Sequence, residues 1–290
     1  MDLNNGFKPF PIPVVAALGP GSQEDEGLDY MPMPQGMSTF DAPVLPEPEE
    51  LAQHQGCLQV LQQALAALQA PDAVDRSQTI DLGGLNAADR TLLNQVLGEG
   101  EVAAQVLGET SVQVQESVFA GLWRVIHLQG GQPIKDELEV GAVPQVLIDI
   151  AEADTARNSV NFAAAPPAGV MNSPALLAEI DEQRTTWRRG DAPHVINLSL
   201  LPLSAADSAH LDQQLGAGRV IFLSRGYGNC RIVNTRVQRT WRVTYFNSTD
   251  IVILDTLEVC RVPEVACAAA EDLADSAERL NEVLDWVSAS

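Results

Sequence analysis

Apolar positions along this chain follow two periods, and the same order of periods comes round twice. Over residues 49–69, Leu58, Leu61, Leu65 and Leu68 fall on one side of a helix, and residues 174–188 take the same place later. Leu85, Ala88, Leu92 and Val96 form a second helical stripe, opened by Asn86 with Asp89 three residues on and stopped by Gly98. Ser204, Asp207 and Gly216 repeat that signature. Strand-like runs follow at 101–107, 111–119, 121–128 and 134–140, then again at 219–224, 229–237, 239–246 and 250–259. Short Gly, Asn and Ser punctuation between most of them predicts antiparallel hairpins. Helices close the series at 144–153 and at 268–288, the latter with Leu273, Leu280, Leu284 and Val287.

The recurrence is a duplication. LNAADRTLLNQVLGEGEV (85–102) aligns with LSAADSAHLDQQLGAGRV (203–220) at a constant offset of 118, with 14 identities over residues 85–127. After one inserted residue, DELEVGAVPQV (136–146) meets DTLEVCRVPEV (255–265), and upstream TIDL (79–82) meets VINL (195–198). The pattern predicts an α+β protein: two tandem copies of a helix–strand–helix–four-strand–helix unit, with antiparallel sheets covered by helices. The first unit is expected at 50–153, a linker at 154–171 and the second unit at 172–290.

Residues 1–49 read as a Pro-rich extended arm, since nine of the 18 prolines fall within the first 50 residues and no apolar period is present. Met31, Met33, Met37 and Phe40 nevertheless cluster there beside Tyr30. They are candidate docking side chains, toward a partner or toward the protein's own body.

Charge and motif content narrow the function. Seventeen Lys+Arg against 39 Asp+Glu give a net charge of −22, which disfavours nucleic acid and anionic lipid as partners. Lys8 and Lys135 are the only lysines and neither follows a Gly, so no phosphate-binding Walker loop is written here. The four His and four Cys form no H-E-x-x-H or C-x-x-C, and no G-x-S-x-G is present. Residues 9–19 are apolar, but three prolines and Asp2 argue against a signal peptide. No run reaches the ~20 apolar residues of a membrane span. The expectation is a cytoplasmic protein with no catalytic set, no cofactor, no metal site and no membrane insertion.

The candidate chemistry is therefore that of partner binding. Residues 213–249 hold Arg219, Arg225, Arg231, Arg236, Arg239 and Arg242 with no acid, whereas the equivalent stretch of the first copy carries Glu99, Glu101, Glu109 and Glu116. These are solvated sheet faces, or a contact between the copies, or a surface for a partner. Glu116 shares an apolar strand parity with Val112, Val114 and Val118, so it lies at a fraying edge, is displaced by a bulge, or holds a cation, either Arg124 on the next strand or an incoming Arg. Trp123 and Trp241 point away from Arg124 and Arg242 and are expected in the core. Glu99, Glu101, Glu116, Arg124 and Arg242, with the four arm residues, make up the candidate partner-binding set. His54 and Cys57 stand one helical turn apart, and Cys260 and Cys267 flank a turn, without a second pair to complete a metal site.

The arm with GPGSQ, YMPMPQGMSTF and LPEPEE, followed by LGEGEV, VQESVFAGLWRV and DTLEV, resembles the HupH/HyaF/HoxQ family of nickel–iron hydrogenase expression proteins over nearly the whole chain. The resemblance implies a non-catalytic accessory role in hydrogenase maturation. It implies as partner the iron–sulfur small subunit with its twin-arginine export signal, alongside other maturation proteins. One alternative stays open beside this chaperone: a metal or iron–sulfur carrier using His54, Cys57, Cys230, Cys260 or Cys267.

Overall fold

The computed structural model describes residues 46–156, 165–225 and 229–289. Met31, Met33, Met37, Phe40 and part of the linker lie outside the described residues. In the first unit α1 (Pro48–Gln53), α2 (Gln55–Leu68), β1 (Gln78–Asp81), α3 (Ala87–Leu97), β2 (Val102–Val106), β3 (Thr110–Glu116), β4 (Leu122–Gln129), β5 (Gln132–Val140) and α4 (Gln145–Ala156) follow in order. The second unit repeats the series with α5 (Ser173–Thr186), β6 (His194–Asn197), α6 (Ala205–Leu215), β7 (Ala217–Ser224), β8 (Asn229–Thr235), β9 (Thr240–Phe246), β10 (Val252–Val259) and α7 (Ala270–Ser288).

The helix caps explain where α3 and α6 begin and end. Asn86 Oδ1 accepts the Asp89 N–H at 2.9 Å, and Ser204 Oγ accepts that of Asp207 at 3.1 Å. Gly98 and Gly216 close the helices at φ 57° and 59°, a region cheap only for glycine. Both capping acids also reach backward to fix the preceding helix. Asp207 Oδ1 accepts the N–H groups of Met171, Asn172 and Ser173 at the start of α5. The Ser204 hydroxyl and these amides hold its carboxyl well below the usual range. Asp89 Oδ1 lies 2.7 Å from His54 Nδ1. A Cβ on Gly56 would sit 2.4 Å from Asp89 Oδ2. The single helix expected over 49–69 is therefore two, broken at His54, because a distant carboxylate pulls the chain out of register. The observed helix also starts at Pro48, and α4 carries on to Ala156, so Asp154 is helical rather than linker.

All ten strands form one antiparallel sheet in the order β1-β5-β4-β3-β2-β7-β8-β9-β10-β6. Each unit has the same internal order, and the two meet edge to edge through β2 and β7. Ala104 pairs with Phe222 at that seam, and these two residues are equivalent in the repeat, 118 apart. A pseudo-twofold axis thus passes between them, an isologous contact made within one chain.

The closing helices are exchanged across this axis. From the first unit, α4 packs on β7 and β8, where Leu147, Ile148 and Ala151 join Trp123, Phe222 and Trp241 in one core. From the second, α7 packs on α1 and α2 through Leu273, Leu280 and Leu284. Trp123 and Trp241 are both buried, and Phe222 meets Trp241 edge-on at 6.0 Å. A smaller core under α5 and α6 completes the helical face of the second unit.

The turn before β9 differs from its counterpart in the first unit. Where the first unit places Gly121 at φ 83°, the second has Arg239 at φ 59°, a conformation worth about 1–2 kcal/mol of strain for a side-chain-bearing residue. The Arg239 guanidinium offsets it by donating to the Arg184 and Trp187 carbonyls at 3.1 Å, capping the end of α5. It also stacks 5.5 Å from the Trp187 ring. Arg239→Gly removes strain and contacts together, whereas Arg239→Ala removes only the contacts. Urea unfolding is therefore expected to rank parent, then Arg239→Gly, then Arg239→Ala, with about 1 kcal/mol between the two variants. Equal losses would show that the turn stores no strain.

Candidate functional site

The two arginines of the candidate set are held inside the units. Arg124 donates from Nε and Nη2 to the two oxygens of Asp136, the latter at 2.6 Å, and from Nη1 to Asn94. Arg242 repeats the arrangement, with Asp255 at 3.0 and 2.7 Å and Asp212 at 2.5 Å. The bidentate, charge-assisted pairs join β4 to β5 and β9 to β10, and the third contacts, to Asn94 and Asp212, tie α3 and α6 to the sheet. The expected Glu116–Arg124 pair is not formed. Cross-strand register sets Glu116 opposite Trp123 and Arg124 opposite Gln115, so the Arg124 side chain leaves by the other face.

Glu116 is buried where β2, β3 and β4 come together. Burial is the main cause that raises its pKa from an ordinary 4.5 to about 7, against hydrogen bonds from the Gly121 and Val102 N–H groups; nearby Glu101 and Asp272 raise it further. Glu99 and Glu101 are exposed on the connection from α3 into β2. The structure thus brings Glu101 toward Glu116, as one exposed and one shielded carboxyl.

The basic run of the second unit is tied up at several points within the molecule. Asp154 of α4 accepts from Arg219 Nε at 2.7 Å, from its backbone N–H at 2.8 Å and from Asn234 at 3.1 Å. Arg236 donates to the Ala217 carbonyl at 3.1 Å. A contact between the copies does exist: Asp154 of the first unit holds Arg219, and the Arg225 N–H donates to the Glu101 carbonyl at 3.1 Å. A cleft of about 190 Å³ between α4 and the β8–β9 turn is lined by Arg189, Arg239 and Arg261 with Glu152 and Trp187.

Cysteine chemistry is muted. Burial pushes the Cys57 thiol up to about 12, Cys230 to about 11 and Cys267 to about 12, and Cys260 also upward. His54, the neighbour of Cys57, is engaged by Asp89. Among the described residues, no three His, Cys, Asp or Glu side chains gather as metal ligands. No described helix is long and apolar enough to cross a membrane.

Asp136, Asp255, Asn94 and Asp212 were missed as partners of the arginines. Their signal lies in the repeat itself, because Asp136 and Asp255 open DELEV and DTLEV at equivalent positions.

Comparison with known proteins adds a name to this duplicated architecture. The family model described as "HupH hydrogenase expression protein, C-terminal conserved region" matches twice, at residues 55–163 and 170–287. The chain belongs to the HupH family. The two matches coincide with the two units related by the pseudo-twofold axis. The hydrogenase expression/formation protein HoxQ of Cupriavidus necator is 53% identical over 279 residues, covering 96% of this chain and 98% of the relative. HupH of Rhodobacter capsulatus is 45% identical, covering 96% and 98%. The hydrogenase-1 operon protein HyaF of Escherichia coli is 34% identical, covering 93% and 95%. A solved structure of the hydrogenase expression protein HupH from Thiobacillus denitrificans aligns at 28% identity with a TM-score of 0.35, covering 38% of this chain and 92% of the other.

Proposed function

We propose that this HupH-family protein is a cytoplasmic, non-catalytic chaperone of nickel–iron hydrogenase maturation, which binds the iron–sulfur small subunit with its twin-arginine signal before export and assembly. The observation that carries the reading is full-length similarity to hydrogenase expression/formation proteins over both units. The acidic balance of −22 supports a basic partner. Of the candidate set, Glu99 and Glu101 are exposed and carry the electrostatic part of the proposal, and Met31, Met33, Met37 and Phe40 of the arm are proposed for the apolar part. Glu116 lies shielded near Glu101, while Arg124 and Arg242 are engaged by Asp136 and Asp255 within their own units and serve there as structural supports. Other maturation proteins are further candidate partners.

A guanidinium meeting a carboxylate contributes about 1.5–3 kcal/mol, so two such contacts change affinity by roughly a hundredfold or more. The test is calorimetric titration of the signal-bearing small subunit at low and high salt. Weaker binding is expected from Glu99→Gln/Glu101→Gln and from a partner whose twin arginines are replaced by Lys, which keeps charge but loses the planar fork. Undiminished binding by the double variant, with loss on deleting residues 1–45, would move recognition to the arm. Stoichiometric iron, nickel or zinc in anaerobically purified protein, lost on Cys→Ser substitution, would replace the chaperone by a carrier.

A further inference from the structure

The second unit exposes its large aliphatic side chains together. Leu200 is 80% exposed, Ile251 60%, Ile253 61% and Val252 44%. Leu200 ends a 3₁₀ turn (Leu198–Leu200) after β6, and residues 251–253 lead out of the β9–β10 hairpin tip. These segments adjoin: the turn packs on β10, the Asp255 N–H donates to Ser199 Oγ at 2.8 Å, and Leu201 and Val252 line one cleft of about 310 Å³.

The first unit builds the same fold without them. Its connection from Leu82 to Leu85 is Gly83–Gly84, two residues shorter than the corresponding Leu198–Leu203 stretch carrying Leu200, Leu201 and Pro202. Gln132 and Pro133 stand where the second unit has Ile251 and Val252, and only Ile134, matching Ile253, is common to both. The fold therefore does not require these exposed side chains, and large apolar side chains exposed on two adjoining segments mark an interaction site.

Charge says what fits. Asp212 and Asp255 lie in the cleft with Arg242, and Asp250 is exposed at the hairpin tip: three carboxylates to one guanidinium. A second copy would bring another net charge of −22 against the first and is disfavoured. We propose that this end of the second unit is a docking surface for a segment of another protein that combines bulky aliphatic side chains with Arg or Lys. The aliphatic side chains cover Leu200, Leu201 and Ile251–Ile253, and the cations meet the Asp212, Asp250 and Asp255 rim. This goes beyond the recognition surface proposed above at Glu99, Glu101 and the arm, and stands whether or not the partner is a hydrogenase subunit.

The test uses the full chain and a fluorescein-labelled 12-residue peptide of alternating leucine and arginine, read by anisotropy at 0.15 M salt. Leu200→Ser/Ile251→Ser/Ile253→Ser is expected to weaken binding about tenfold or more, as loss of three apolar contacts implies. The matched Ile134→Ser variant of the first unit should bind as the parent does. The single Ile253→Ser variant gives the same direction should the triple variant lose cooperative thermal unfolding. Equal binding by the triple variant and the parent, or equal binding of a serine–arginine peptide, would overturn the proposal. So would sedimentation of the parent as a dimer that the triple variant dissociates, since the occupant would then be a second copy. Small-subunit titration with Glu99→Gln/Glu101→Gln reports on the chaperone reading separately.

Discussion

Asp136→Ala is expected to lower the unfolding free energy by about 3–5 kcal/mol, whereas the equivalent Asp255→Ala lowers it by about 1 kcal/mol. The two carboxylates hold equivalent arginines in equivalent places, so the difference comes from what remains after each is removed. Around Arg124, side-chain exposure is 13% for the arginine and 10% for Asp136. Arg90 also reaches Asp136 at 3.3 Å, and the other contact of Arg124 is the neutral Asn94. Deleting Asp136 strands a shielded guanidinium without a carboxylate. Around Arg242 the arginine is 32% exposed and keeps Asp212 at 2.5 Å. Water and the second acid compensate there. Chemical denaturation of both variants at neutral pH checks the contrast, and equal losses would mean that the units bury their ion pairs alike.

That contrast also marks what was legible in the sequence. The capped helices α3 and α6 were readable because Asn86 with Asp89, and Ser204 with Asp207, act within one helical turn. The four-strand runs were readable because their alternation is local and each copy checks the other. The backward reach of the same acids was not. Asp89 to His54 spans 35 residues and Asp207 to Met171 spans 36, and nothing in either neighbourhood advertises the partner. Cross-strand register hid the arginine partners in the same way, because Arg124 adjoins Glu116 by strand order while facing the opposite side of the sheet. The repeat announced two like units but not the axis relating them. The axis depends on Ala104 meeting Phe222 at the seam, with Ala104 leaving room for the larger ring. The division of labour was likewise hidden. An exposed leucine and a buried one look alike in a periodic pattern, and Leu200 stands out only when Gly83 and Gly84 are set beside it.

Glu116→Gln is expected to flatten the pH dependence of stability by about 3 kcal/mol between pH 5 and 8. In the unfolded chain this carboxyl ionises at its ordinary 4.5, while burial holds it protonated in the folded state up to about 7. Between those values the folded protein binds a proton that the unfolded chain has released. Stability therefore falls as pH rises through this window and levels off above it, the opposite of an acid held in an ion pair. Glutamine is neutral throughout, so the variant should match the parent near pH 5 and exceed it at pH 8. Burial also raises the pKa of Glu139 and Glu258, and their contributions stay in both proteins, so the difference between the two curves isolates Glu116. Urea unfolding at pH 5, 6, 7 and 8 reads it directly, and parallel curves would show a Glu116 that is already ionised in the fold. The outcome bears on recognition as well. A Glu116 that is protonated near neutrality adds little to the field at Glu101, leaving an incoming cation to the two exposed carboxylates. Removing Glu116 alone should then leave partner affinity at pH 6.5 close to that of the parent.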